Sequence, residues 1–258
     1  MRREKTNYII QSVSHALDVL EQFSGEHDEL GVTELSKRLK LHKNNVFRLL
    51  ATLESRGYIE QNKATENYRL GIRCLQLGQT FVAHMGLLQQ ARPIIESLAE
   101  DANETAFVAV PRKACMVAVD SVEARHPIRM TSRIGEALPL HCTAAGKVHL
   151  AFISDADLRE ALTAGMPRFT DKTTTEQPRL QQQLRHIAES GYAIEIGEHI
   201  ADVHSVAVPI RDYTRNVVGS VAVSGPANRM TAERIEKEIA PLLVKAGREL
   251  SSRLGYKA

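Results

Sequence analysis

A chain of 258 residues exceeds one small module and suits two domains joined by a linker. Its 33 basic and 31 acidic residues leave a net charge of +2, which excludes a general cationic coat for nucleic acid and confines any such role to a local patch. There is no run of about 18 apolar residues and no apolar core behind the basic N-terminus, so neither a membrane span nor a signal peptide is predicted. Cys74, Cys115 and Cys142 are odd in number and lack CxxC spacing; a disulfide framework is not expected, and a cytoplasmic location is.

The first seventy residues carry three helical patterns. Val13 to Phe23 places Val13, Ala16, Leu17, Leu20 and Phe23 on one apolar face and stops at Gly25. Val32 to Leu39 follows, with Thr33 positioned as a cap and Leu35 and Leu39 facing inward. After a break at Lys40–Leu41–His42, Lys43 to Arg56 turns Val46, Leu49, Leu50 and Leu53 inward and ends before Gly57. Two short strands, around Tyr58–Glu60 and Tyr68–Leu70, then flank a polar tip from Gln61 to Asn67. Three helices and a hairpin make a winged helix-turn-helix.

Charge agrees with that order. From Ser36 to Tyr58, Lys37, Arg38, Lys40, Lys43, Arg48 and Arg56 stand against Glu54 alone. A helix bearing Lys43, Asn44, Asn45 and Arg48 suits the major groove, because Asn pairs with adenine edges and Lys or Arg with guanine edges or phosphates. Lys63, Thr65 and Asn67 at the tip are candidate backbone contacts, and Thr33 is a further candidate DNA-binding residue.

Gly71 to His84 continues as a helix with Ile72, Leu75, Leu77, Phe81 and Val82 apolar, and Gly86 breaks it. Leu87 to Asp101 resumes the pattern, with Pro93 tolerated near its start. A connector of this kind either mediates dimerisation or packs on its own domain.

Beyond Thr105 the pattern changes. Residues 106–110 and 115–119 read as a hairpin turning at Pro111 to Lys113, and Ile128 to Arg133 as a further strand. Helices are predicted over 144–152, 155–164 and 179–190, strands over 192–196, 205–210 and 217–223, and a last helix from a Thr231 cap to about Leu254. The fold class is α+β, an antiparallel sheet with flanking helices. The segment Gly135 to Lys147 opens a helix at about Thr143, where N–H groups at Ala144 and Ala145 favour an anion. A capped loop without a ligand fits the same residues.

Arg48-Leu-Leu-Ala-Thr-Leu-Glu-Ser-Arg-Gly-Tyr58, Tyr68-Arg-Leu-Gly71, Pro139-Leu-His-Cys-Thr-Ala-Ala-Gly-Lys147, Ala207-Val-Pro-Ile210 and Ser224-Gly-Pro226 together resemble the IclR-type transcriptional regulators, in order and over nearly the whole chain. The resemblance implies a winged helix-turn-helix over 8–71, a linker helix over 72–86 and a GAF-like effector-binding domain over 87–258. It implies homodimers, often paired into tetramers, on double-stranded operator DNA, repression or activation, and a small organic acid as effector, aliphatic or aromatic. Carried onto this chain, the family's pocket falls on Ala144, Ala145, Glu195, Val203, Ser205, Ala222 and Ser224, with Ile128 and Met130 as apolar walls. Ala222 departs from a serine in carboxylate-binding members and removes a hydroxyl donor there.

No cofactor is expected. Two other readings start from the residues: His141, Cys142, His199 and His204, with Glu195 or Asp202, as a metal site, and His141, Cys142 and Glu195 as a nucleophilic arrangement. Their spacing matches no standard metal motif, there is no nucleophile elbow, and an attached DNA-binding head argues for sensing. A third reading has the C-terminal domain only oligomerising.

Overall fold

The computed structural model describes residues 9–23, 29–83, 86–131 and 134–257. The chain divides into two compact units, Met1–His84 and Met85–Ala258.

In the first unit, α1 (Gln11–Glu21), α2 (Val32–Leu39) and α3 (Lys43–Ser55) precede a hairpin of β1 (Ile59–Gln61) and β2 (Tyr68–Leu70), and α4 (Ile72–Ala83) follows. Val19, Phe23, Leu30, Leu35, Val46, Leu50, Leu53, Ile59 and Tyr68 form its core. The winged helix-turn-helix expected from the helical periods is therefore present. The inward face of α1 differs from expectation: Val19 is buried, while Val13 and Leu17 are exposed. The predicted stop at Gly25 lies outside the described residues. Thr33 does not cap α2, because Leu30 pairs with Tyr68 through two backbone hydrogen bonds. That pairing fixes where the chain leaves the sheet, so Gly31 takes the cap position and Thr33 enters the helix. Gly57 ends α3 with a φ of 74°, a conformation that costs glycine little.

On α4, Ile72, Leu75 and Leu77 are exposed. The side chains of Phe81 and Val82 lie outside the described set, as does His84.

The second unit opens with α5 (Gly86–Ala102). Gly86 begins this helix rather than simply interrupting a pattern, and Pro93 sits inside it, not near its start. A six-stranded antiparallel sheet follows, of β3 (Thr105–Arg112), β4 (Cys115–Val122), β5 (Ala137–Pro139), β6 (Ala193–Ile196), β7 (Val203–Arg211) and β8 (Val217–Pro226), in the order β5-β4-β3-β8-β7-β6. Period-two alternation gives it two apolar faces. Val108, Val206, Val208, Ile210, Val221 and Val223 pack with α5 and α10 (Ala240–Arg253). Phe107, Ala109, Met116, Ala207 and Ala222 pack with α6 (Ala144–Ala151) and α8 (Gln177–Ser190). Two short helices complete the set, α7 (Asp155–Ala161) and α9 (Ala232–Arg234), the latter capped by Thr231 as expected and joined to α10 through a π-helical turn over Ile235–Ile239.

Two readings are corrected here. Residues 128–131 form no strand; the Thr105 hydroxyl bonds the Met130 carbonyl at 2.7 Å and accepts from the Ala124 N–H at 3.2 Å, which pins the segment across the sheet end instead of pairing it. Residues 132–133 lie outside the described set. The strand β5, which pairs with β4 through Met116↔Leu138, was not expected.

Helix α6 lies so close to the Leu140 backbone that a Cβ on Gly146 would overlap it. Gly146→Ala is therefore expected to destabilise the second unit by about 1–3 kcal/mol. Calorimetry of the full-length protein checks this; an unchanged melting profile would count against so close an approach.

Candidate effector pocket and DNA-binding face

Sheet register builds the pocket. Thr105 pairs with Ser224, Ser224 with Ser205, and Ser205 with Glu195, so four polar residues from four strands form one row. The adjacent row on the same face is Phe107, Ala222, Ala207 and Ala193. The polar row faces the start of α6, and the two enclose a cavity of about 60 Å³.

Seven of the nine expected ligand residues meet there: Met130, Ala144, Ala145, Glu195, Val203, Ser205 and Ser224. Ala222 does not. It is fully buried one row below, beneath α6, so the missing hydroxyl there is absent from the sheet core and not from the pocket lining. Ile128 does not either; it is 75% exposed, two residues from the point where Thr105 anchors the segment. Sequence reasoning missed Thr105, Phe107, Leu138, Thr143, His199 and Ile200 among the lining. The alternation of Thr105 and Phe107 along β3 was a usable signal; the closing loop at His199 and Ile200 gave none.

Thr143 caps α6, its Oγ1 accepting the Gly146 N–H at 3.1 Å and donating to the Pro139 carbonyl at 2.7 Å. Ala144 and Ala145 occupy the first turn, where N–H groups have no intrahelical acceptor. That turn therefore offers an anion two backbone donors.

Glu195 sits opposite. Its Oε1 accepts the N–H of Glu198 at 2.5 Å and of His199 at 3.2 Å. Burial nevertheless pushes its carboxyl up to about 7; those two N–H groups and the Ser205 hydroxyl pull it down, and the Glu198 charge pushes it further up. The Ser205 and Ser224 hydroxyls stand 3.0 Å apart. Behind the pocket, Lys147 and Glu198 form a buried ion pair. Thr170 and Thr173 hold the Gly197–Glu198 turn by donating to its carbonyls.

Neither alternative reading gains support among the described residues. Among the described residues no three His, Cys, Asp or Glu side chains stand together as a metal site. His141 donates from Nε2 to the Pro167 carbonyl, and His204 from Nδ1 to the Met230 carbonyl. The Cys142 thiol is pushed up to about 12, chiefly by burial and then by the charges of Glu195 and Glu198, so it remains protonated and a poor nucleophile.

In the first unit, Thr33, Lys43, Asn44, Asn45, Arg48 and Lys63 are all exposed. Arg38 is paired with Glu34, and among the described residues no ion pair engages Lys43, Arg48 or Lys63. At the wing tip Asn62 and Thr65 donate to Glu29 at 2.7 and 2.8 Å. Thr65 thus braces the wing.

These features meet in one family. Residues 12–63 match the IclR helix-turn-helix domain, and residues 79–252 the bacterial transcriptional regulator IclR C-terminal model. The chain belongs to the IclR family of bacterial transcriptional regulators. It is 32% identical over 252 residues to the HTH-type transcriptional regulator XynR of Escherichia coli, covering 97% of this chain and 99% of XynR. It is 31% identical over 248 residues to KdgR of the same organism, covering 95% and 94%. Among solved structures, IclR of Thermotoga maritima superposes with a TM-score of 0.77 at 26% identity, covering 96% of this chain and all of that one. An IclR homolog from Microbacterium hydrocarbonoxydans, complexed with 4-hydroxybenzoate, shares the fold with a TM-score of 0.83 at 22% identity, covering 95% and 99%. Like other IclR regulators, this protein is a DNA-binding regulator of transcription.

The raised carboxyl of Glu195 has a measurable consequence. Its ordinary value is 4.5, and the fold favours the protonated form. That stabilisation is whole below pH 4.5 and is lost as pH rises through about 7. The melting temperature of the wild type should therefore fall between pH 5 and 8 relative to Glu195→Gln; superimposable pH profiles would show that the group does not titrate there.

Proposed function

We propose that this IclR-type regulator binds double-stranded operator DNA through α3 and the β1–β2 wing, and that a small organic acid in the second unit modulates that binding. The observation that carries the effector reading is the polar row Thr105–Ser224–Ser205–Glu195 facing the first turn of α6 across the cavity. The carboxylate is assigned to the N–H groups of Ala144 and Ala145, and its polar substituents to the two serines. A protonated Glu195 accommodates an anion and donates a hydrogen bond; an ionised one repels it. The lining combines apolar side chains such as Phe107, Leu138 and Val203 with a few convergent polar groups, which suits a small organic acid.

The segment 72–86 is assigned as the linker between the DNA-binding domain, 8–71, and the effector domain, 87–258. The regulator acts as a homodimer that pairs into tetramers. Exposed Ile72, Leu75 and Leu77 on α4 support self-association, as does the short half-site that one head can read. The protein works in the cytoplasm, without catalysis, metal or cofactor.

Two measurements test this. A thermal-shift screen with small aliphatic and aromatic carboxylic acids should find one that raises the melting temperature, by about 2.7 kcal/mol of stabilisation at a hundredfold excess over Kd. The hit should bind more tightly at pH 6 than at pH 8, change operator affinity, and lose its effect in Ser205→Ala/Ser224→Ala. No hit across the panel, or a hit indifferent to the serines, would sink the pocket assignment. On the DNA side, Arg48→Ala should weaken binding and, if the contact is to phosphate, lower the salt slope by about one; unchanged affinity and slope would remove Arg48 from the interface.

A further inference from the structure

Helix α3 buries Val46, Leu50 and Leu53 and packs Leu49 against the same core, yet Phe47 stands 56% exposed. Residues three and four apart share a helix face, so Phe47 lies beside Lys43, Asn44 and Ala51 and borders the buried Leu50, with Arg48 next in sequence. This is the face that carries the polar groups suited to base edges. A large apolar ring among these polar groups gains free energy if an apolar surface covers it.

Charge decides between a second copy of the chain and DNA. Lys43 and Arg48 flank the ring and, among the described residues, neither is held by an ion pair. Lys37 and Lys40 are exposed on the neighbouring helix and turn. Two such faces brought together would set like charges against each other. A DNA groove supplies the opposite charge, and its one apolar feature in the major groove is the thymine C5-methyl.

We propose that Phe47 reads thymine, its ring packing on the C5-methyl of one base in the operator. The inference rests on the reading of α3 as the groove helix. It adds to the hydrogen-bonding side chains a contact that selects by shape and apolarity.

The test uses the full-length protein and duplexes enriched by it from a random pool. Each thymine in an enriched site is replaced singly by deoxyuridine, which removes only the methyl. At one position per half-site the wild type should lose about fourfold in affinity, the worth of one buried methyl. Phe47→Ala should bind the thymine duplex correspondingly less well and should no longer distinguish it from the deoxyuridine duplex. Phe47→Leu should keep part of the discrimination. The inference is overturned if enriched sites contain no thymine, if every replacement is neutral for the wild type, or if Phe47→Ala retains the full loss. Arg48→Ala separates the two failures. If it too binds like wild type, the reading of α3 fails and the inference with it; if it weakens binding while Phe47→Ala still discriminates, only the role of Phe47 falls.

Discussion

Antiparallel pairing across β3, β8, β7 and β6 sets residues 105, 224, 205 and 195 in one row, and the rest of the second unit depends on that register. A slip of one residue in any of these strands would turn its contribution to the opposite face. Ser224 would be replaced by Val223 or Gly225, and Ser205 by His204 or Val206. The pocket is thus specified by the alternation that also divides the apolar residues between the α5–α10 layer and the α6–α8 layer. Small residues in the next row, Ala222, Ala207 and Ala193, let α6 descend onto the sheet. The first turn of α6 can then reach the polar row.

Holding α6 there places charge in the interior. Lys147, on the helix, and Glu198, in the turn after β6, are both buried and pair with each other. Such a pair is weak evidence for stability, since its desolvation offsets most of its attraction. Removing one partner alone is another matter, costing about 3–5 kcal/mol because the remaining charge is stranded. The pair therefore ties the helix to the turn that carries His199 and Ile200 over the cavity. It also places the negative end of Glu198 near Glu195, which adds to the burial that holds Glu195 towards its neutral form. Structural support and pocket chemistry share these residues.

What could be read from the sequence follows the distance over which each feature is determined. Helices α2 and α3 and the wing are set by local period, a glycine stop and short turns, and they lie within a residue or two of expectation. The helix start at Ala144–Ala145 was legible because a cap is local too. Register is not local. Ala222 and Ser224 look equivalent in a strand with small residues throughout, and only pairing with β3 and β7 shows that one lines the cavity and the other lies beneath α6. The segment 128–131 is apolar enough to suggest a strand, but Thr105, distant in sequence, binds its backbone and holds it in another role. Over Val13 to Phe23 the inward reading held for Ala16, Leu20 and Phe23 and failed for Val13 and Leu17, because a short amphipathic helix has more apolar residues than its small domain can cover.

The two working surfaces treat charge in opposite ways, and this shapes how they communicate. On the DNA side the cations of α3 and the wing stay exposed to water, where they can steer and position a polyanion. In the pocket, Glu195 is buried and titrates near 7, so an anion that prefers its neutral form takes up a proton when it binds above that pH. Effector affinity and proton concentration are then linked in the second unit. If the effector alters affinity for DNA, reciprocity requires DNA to alter affinity for the effector by the same factor. Protonation of Glu195 enters the same cycle, because a ligand shifts an equilibrium only by its differential affinity for the two states. On the proposed effector reading, operator occupancy at fixed effector concentration would depend on pH through Glu195, with a fall in pH acting in the same direction as added effector.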